Sequence, residues 1–68
     1  MITVTVNGEK RQVEKKASVT DLLADLGLLS RRVAVERNRE IVKGQSYGST
    51  VIQDGDMFEI IEFVGGGF

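Results

Sequence analysis

Residues 2–6 alternate apolar and polar β-forming side chains, a period of two that predicts a strand with its apolar residues facing a core. The dipeptide Asn7-Gly8 follows, and both residue types tolerate the positive φ angles of a type I′ turn. Residues 10–14 are therefore expected to return as the second strand of a hairpin, with Val13 as the clearest inward residue.

A helical spacing of apolar residues begins after Ser18. The Ser18 hydroxyl can accept a hydrogen bond from the amide of Asp21, and the Asp21 carboxylate can accept one from the Ser18 amide, so the pair predicts a capping box. Four apolar residues then follow at i, i+3, i+4 and i+7 and form a single stripe: Val19, Leu22, Leu23 and Leu26. Gly27 stands where the end of a helix favours a left-handed residue.

The period of a strand returns in the middle of the chain. Residues 32–37 alternate, so Ala34 is expected to face away from the core while its two neighbours face it. A turn at Asn38-Arg39 then leads into a short strand over residues 40–42. Residues 43–50 hold two glycines and several polar side chains, and they predict a loop or a single helical turn.

The last predicted strand covers residues 57 to about 64, after a tight polar turn over residues 53–56. Phe58 has the parity that suits the core. Ile61 and Phe63 have the opposite parity, which places them on the face of the sheet that the helix leaves open.

The order of these elements is hairpin, helix, short strands and last strand. The helix is the element available to cover the sheet, which predicts an α+β fold. A helical crossover lets the first and last strands lie parallel and central, so we expect a ubiquitin-like β-grasp: a mixed sheet of four to five strands covered on one face by one helix. The expected division is a β-grasp domain over residues 1–64 and a flexible glycine-rich C-terminal tail over residues 65–68.

Composition narrows the possible functions. The 68 residues carry 9 basic and 10 acidic side chains, without the basic stripe of a nucleic-acid binder. Cysteine and histidine are absent, which removes thiol nucleophiles, iron–sulfur ligands, the commonest zinc ligands and the usual general base. No apolar run has the length of a membrane span, and no signal-peptide pattern opens the chain. We expect a cytoplasmic protein that is not itself an enzyme, with no metal, nucleic-acid or membrane partner.

Three consecutive glycines, Gly65-Gly66-Gly67, stand before Phe68. A frayed terminus is one explanation, since termini are often loose. A glycine run is costly to immobilise, but it is thin enough to thread a narrow channel in another protein. Such a segment could carry a terminal carboxyl group to a buried active site. Joining that carboxylate to AMP would make it electrophilic, and a sulfur nucleophile could then convert it to a thiocarboxylate without any side chain of the carrier.

Three segments resemble a known family. Residues 33–42 read VAVERNREIV and resemble the VAVELNGEIV stretch of the ThiS family, the sulfur carriers of thiamine biosynthesis. The turn QDGD at residues 53–56 resembles the family's DGD turn, and residues 59–67, EIIEFVGGG, resemble its closing EIVxFVGGG. The similarity extends over essentially the whole chain.

The resemblance implies a function and a set of partners. A ThiF-type adenylyltransferase would use ATP and Mg to adenylate the terminal glycine, a cysteine desulfurase or another donor would supply sulfur, and thiazole synthase would accept it. The carrier itself would bind no cofactor. Carried onto this sequence, the adenylation and thiocarboxylate site is Gly67, with Gly66 as the other member of the diglycine.

Phe68 departs from the family pattern, which usually ends on glycine. While Phe68 is present, the carboxyl group of Gly67 is held in an amide and cannot be adenylated. We therefore expect a peptidase to remove Phe68; the alternative is an added or tolerated terminal residue.

Partner contacts are expected on the open face of the sheet and along the tail, because exposed apolar residues there lead directly into the glycines. The alternative is a scatter of surface hydrophobes without a binding role. The predicted partner-binding residues are Ile61, Phe63, Val64, Gly65, Gly66 and Ala34.

Other functions remain open from the sequence. The same tail would suit a sulfur carrier for molybdopterin, cysteine, methionine or siderophore synthesis, or a ubiquitin-like modifier joined to lysines of target proteins. A plain β-grasp interaction domain would not need its tail. A β-grasp ferredoxin is excluded, because the chain has no cysteine to hold a cluster.

Overall fold

Strands and helices follow one another along the chain in the predicted order. In a computed structural model, which describes residues 1–64, the strands are β1 (Ile2–Val6), β2 (Glu9–Val13), β3 (Val33–Arg37), β4 (Glu40–Val42) and β5 (Met57–Glu62). The helix α1 covers Val19–Asp25, and a 3-10 turn covers Gly44–Ser46. The predicted tail, residues 65–68, lies outside the described residues, so the division into domain and tail stays a prediction.

The strands form a single mixed sheet in the order β2-β1-β5-β3-β4. β1 and β5 are parallel, and the other neighbouring pairs are antiparallel. The prediction that the first and last strands lie parallel and central is thereby confirmed, and the described chain has five strands, the upper number expected. Because β5 occupies the middle of the sheet, the strand that leads toward the tail has a neighbour on each side.

Both short hairpins turn through two residues with positive φ. Asn7 and Gly8 have φ angles of 50° and 85°, which confirms the predicted geometry of the first turn. Asn38 and Arg39 have φ angles of 51° and 72° and join β3 to β4 in the same way. A left-handed conformation is strained for arginine, which has a Cβ atom and no local hydrogen bond to offset the cost.

The helix has the capping box expected from its sequence. The amide of Asp21 donates to Ser18 Oγ over 3.2 Å, and the amide of Ser18 donates to Asp21 Oδ2 over 2.9 Å. Leu26 is the C-cap, and Gly27 takes a φ of 74°, as predicted for the residue after it.

One face of the sheet and the apolar stripe of α1 form the core. The buried apolar residues are Val4, Val6, Val13, Ala17, Val19, Leu22, Leu23, Val35, Ile52, Phe58 and Ile60. Some boundaries differ slightly from expectation: β2 covers Glu9–Val13 rather than residues 10–14, β3 begins at Val33 rather than residue 32, and β5 ends at Glu62 rather than near Val64. Pairing continues one residue past β5, because the Phe63 amide donates to the Arg32 carbonyl over 2.9 Å.

Candidate functional site

An apolar surface lies at the end of β5, where Ile61 and Phe63 have the parity of the open face and Val64 follows them in sequence. Ile61, Phe63 and Val64 are 59%, 58% and 73% exposed. Ala34, also exposed, is the Cα partner of Ile61 across the β3–β5 pairing. These four residues are called the apolar patch. The structure thus places the described members of the predicted partner-binding set at the end of β5 and on its neighbour.

The end of β5 is held on both sides. On the β3 side, Val33 pairs with Glu62, and the Glu62 carboxylate forms an ion pair with Arg31. On the other side, β1 has already ended at Val6, and the side chain of Asn7 bonds to the backbone of Ile60 instead. Asn7 Nδ2 donates to the Ile60 carbonyl over 3.0 Å, and Asn7 Oδ1 accepts from the Ile60 amide over 2.7 Å. The backbone that leads toward the glycines therefore starts from a fixed position.

A buried carboxylate fixes the start of β5. Asp56 is 5% exposed and accepts hydrogen bonds from Arg37 Nε over 2.8 Å, from Asn38 Nδ2 over 3.1 Å and from the Gln53 amide over 2.8 Å. Burial alone would raise the pKa of Asp56, but the hydrogen bonds from Gln53, Arg37 and Asn38, with the charge of Arg37, outweigh it and lower the pKa below the ordinary 3.8.

Asn38 also contacts the first residue of β5 directly. Its backbone amide donates to the Met57 carbonyl over 2.7 Å, and its side-chain Oδ1 accepts from the Met57 amide over 2.9 Å. The structural roles of Asn7, Asn38 and Asp56 were not predicted from the sequence. For the two asparagines a signal was present, because each is the first residue of a two-residue turn. A short amide side chain tolerates positive φ there and can bond to nearby backbone.

Residues 1–64 hold no group of three or more carboxylate, histidine or cysteine side chains placed to bind a metal ion. No helix in that part of the chain is long and apolar enough to cross a membrane. The predicted site residues Gly65, Gly66 and Gly67, with Phe68, lie outside the described residues, and their roles stay predictions.

Comparison with known proteins identifies the family. The ThiS family model matches residues 4–67. The chain belongs to the ThiS family. Sulfur carrier protein ThiS of Bacillus subtilis (strain 168) is 40% identical over 63 residues, which cover 91% of this chain and 96% of that protein. The crystal structure of the thiamine biosynthesis protein ThiS from Geobacter metallireducens superposes with a TM-score of 0.81 at 35% identity, covering 97% of this chain and all of that one. The predicted family and the ubiquitin-like β-grasp fold are confirmed.

A second group of relatives is much longer than this chain. The thiazole synthase of Paramagnetospirillum magneticum is 48% identical over 64 residues, which cover 94% of this chain and 20% of that protein. The chain spans a fifth of the length of the thiazole synthases it matches. A segment similar to a ThiS protein is therefore part of those larger proteins.

Proposed function

We propose that this chain is a sulfur carrier for thiazole formation in thiamine biosynthesis, and that it acts through the C-terminal carboxyl group of Gly67. The observation that carries the proposal is the match to the ThiS family over residues 4–67, which includes all three glycines. The fold supports it, because the strand before the glycines is central in the sheet and hydrogen-bonded at both ends.

The proposed chemistry takes place on the tail while it lies in partner enzymes. A carboxylate oxygen of Gly67 attacks the α-phosphorus of ATP, and pyrophosphate leaves. A sulfur nucleophile then attacks the carbonyl carbon of the acyl-adenylate, and AMP leaves with the oxygen. When sulfide is the nucleophile, the product is the C-terminal thiocarboxylate. The carrier contributes the carboxyl group, and the catalytic groups, ATP and Mg belong to the partner.

The proposed partners follow from this chemistry and from the family. They are a ThiF-type adenylyltransferase, a cysteine desulfurase or another sulfur donor, and thiazole synthase as acceptor, all in the cytoplasm. The carrier acts as their protein co-substrate and holds no cofactor of its own. The presence of a ThiS-like segment within proteins named thiazole synthase supports the link to that acceptor.

The proposal requires a cut after Gly67. In the sequence the carboxyl group of Gly67 is joined to Phe68 by a peptide bond, so it cannot attack ATP until that bond is hydrolysed. We assign this step to a peptidase. Intact-mass analysis of carrier isolated from its own cells tests it: thiocarboxylate on chains ending at Gly67 is expected, and thiocarboxylate on chains that retain Phe68 would contradict the cleavage.

We further propose that the partners bind the apolar patch together with Gly65 and Gly66, which follow it in sequence. Both Ile61 and Phe63 are more than half exposed although they are large and apolar, and they lie shortly before the glycines in sequence. Burial of such side chains is the main source of affinity in protein interfaces.

Mass spectrometry of the chain ending at Gly67 tests the function as a whole. Incubated with ATP, sulfide and its adenylyltransferase, that chain should gain the mass of one sulfur-for-oxygen exchange. The chain that retains Phe68 is the matched control and should keep its mass. Sulfur gain by a chain lacking Gly66 and Gly67 would contradict the proposal, and lysine-linked conjugates on a denaturing gel would indicate a protein modifier instead.

A further inference from the structure

Two glutamates face each other next to the apolar patch. Glu36 on β3 and Glu59 on β5 are Cα partners in the same pairing that joins Ala34 to Ile61. All four residues have the parity of the open face, so the glutamate pair forms the next row of side chains, about 7 Å farther from the tail. Like charges placed directly opposite each other on a sheet are destabilising.

Neither glutamate belongs to an ion pair of the described chain. The ion pairs within residues 1–64 join Arg31 to Glu62 and Arg37 to Asp56, and neither involves Glu36 or Glu59. Arg39 lines the same part of the surface but forms no ion pair with either carboxylate there. Two carboxylates therefore face one guanidinium, and the row keeps a negative charge.

The pair borders a hollow large enough for a side chain. The hollow has a volume of about 410 Å³ and is lined by Glu36, Asn38, Arg39, Met57 and Glu59. Met57 is 59% exposed. Its flexible thioether can pack against the aliphatic stem of an incoming side chain while the carboxylates meet the charged end. The combination fits an arginine or a lysine.

We infer that Glu36 and Glu59 receive a basic side chain from the adenylating enzyme when that enzyme binds the apolar patch. The inference rests on the proposed function and adds the charge of the partner's surface to it. The glutamate pair lies on the same face as the apolar patch and one row away from it, so an adenylating enzyme that binds the patch also meets the two carboxylates.

The row of Ala34 and Ile61 and the row of Glu36 and Glu59 together define which side chains the enzyme needs on its binding surface. Near the entrance for the tail it needs apolar side chains against Ile61 and Phe63. About 7 Å farther along β5 it needs a cation, and arginine suits the site best because its planar guanidinium can bond to both carboxylates at once. Charge complementarity of this kind increases the association rate and fixes the register of the two surfaces.

Steady-state adenylation by the cognate enzyme tests the inference. The double variant Glu36→Gln and Glu59→Gln should raise the KM for the carrier about tenfold at low salt, with a smaller change in kcat and a weaker dependence on salt. The matched control, Glu9→Gln with Glu14→Gln, removes the same charge from β2 and the segment after it and should leave KM unchanged.

Thermal unfolding separates binding from stability. Because the variant loses a like-charge pair, its melting temperature should stay the same or rise while KM rises. A normal kcat with a KM equal to that of the control would overturn the inference and leave the proposed function intact. Failure of the enzyme to adenylate the unchanged chain ending at Gly67 would overturn the proposed function and the inference with it.

Discussion

The side chain of Asn7 bonds to the backbone of Ile60 as a neighbouring strand would. Its Oδ1 accepts from the Ile60 amide over 2.7 Å, and its Nδ2 donates to the Ile60 carbonyl over 3.0 Å. The pairing of β1 with β5 ends at Val6 and Phe58, so Asn7 extends it by one step. At the other end of β5, Asn38 bonds to Met57 through its backbone amide, which donates to the Met57 carbonyl, and through its Oδ1, which accepts from the Met57 amide. Both turns therefore fix the strand that leads to the tail.

Replacing Asn7 with glycine should show how much this side chain contributes to the free energy of unfolding. Glycine adopts the φ of 50° without strain, so Asn7→Gly removes the two hydrogen bonds and leaves the turn intact. Since the groups on Ile60 are part-buried, we expect the free energy of unfolding to fall by about 1–2 kcal/mol. Urea denaturation of the variant and of the unchanged protein measures this difference in the free energy of unfolding.

Arg39→Gly is the matched control for this effect. Arg39 has a φ of 72° in the other two-residue turn, and no side-chain hydrogen bond of Arg39 occurs within the described part of the chain. Relief of the left-handed strain should stabilise the protein by up to about 1 kcal/mol. If Asn7→Gly destabilises the protein no more than Arg39→Gly does, the contacts between Asn7 and Ile60 contribute nothing beyond turn geometry.

The buried Asp56 should make stability depend on acid pH. Its folded pKa lies below the ordinary 3.8, because hydrogen bonds from Gln53, Arg37 and Asn38 outweigh burial. The unfolded chain therefore binds the proton first as pH falls. The stability from this group is fully present above about pH 5, and it is lost as pH falls from the unfolded value through the lower folded one.

Asp56→Asn tests this dependence. The variant should lose about 2 kcal/mol at neutral pH, because it removes charged hydrogen bonds at a buried position. Its stability should also fall less steeply than that of the unchanged protein below pH 4. Asp25→Asn, on the exposed face of α1, is the control. Parallel acid unfolding curves for Asp56→Asn and the unchanged protein would contradict the assignment.

The predictable parts of this fold are those that depend on local sequence. The alternation in β1, the stripe of α1 and the dipeptide Asn7-Gly8 each determine their own structure, and each was predicted correctly. The contact between Asn7 and Ile60 joins residues 53 positions apart, so no local pattern indicates it. The burial of Asp56 was missed for the same reason, since a polar residue in a DGD turn ordinarily predicts solvent exposure.

The candidate site was likewise predictable only where it depends on local sequence. The exposed position of Ile61 followed from strand parity, and the position of Ala34 on the same face followed from the alternation of residues 32–37. The opposition of Glu36 and Glu59 required the register of β3 against β5, and a shift of one residue would have separated them. Register is set by packing across the whole sheet and cannot be derived from either strand alone.

The capping box offers a test of helix stability. Ser18→Ala should lower the free energy of unfolding by about 1 kcal/mol, because the Asp21 amide loses its acceptor at the helix start. Asp21→Ala removes the reciprocal bond to the Ser18 amide. In a double-mutant cycle, the combined loss should be smaller than the sum of the single losses if the two bonds support each other. Strict additivity would contradict that coupling.

Phe63→Lys tests the apolar patch against a matched apolar residue elsewhere. Phe63 is 58% exposed on the open face, and Val51 is 44% exposed beside the start of α1, where it bridges to Ser18. Neither side chain belongs to the core, so both lysine variants should unfold within about 0.5 kcal/mol of the unchanged protein. Only Phe63→Lys should weaken binding to the adenylyltransferase, by about 2 kcal/mol or thirtyfold, because it places a charge where an apolar contact is buried.

Calorimetric titration measures both affinities. Equal affinities for Phe63→Lys and the unchanged chain would show that the enzyme binds elsewhere, and equal losses for both variants would show that the effect is not specific to the patch.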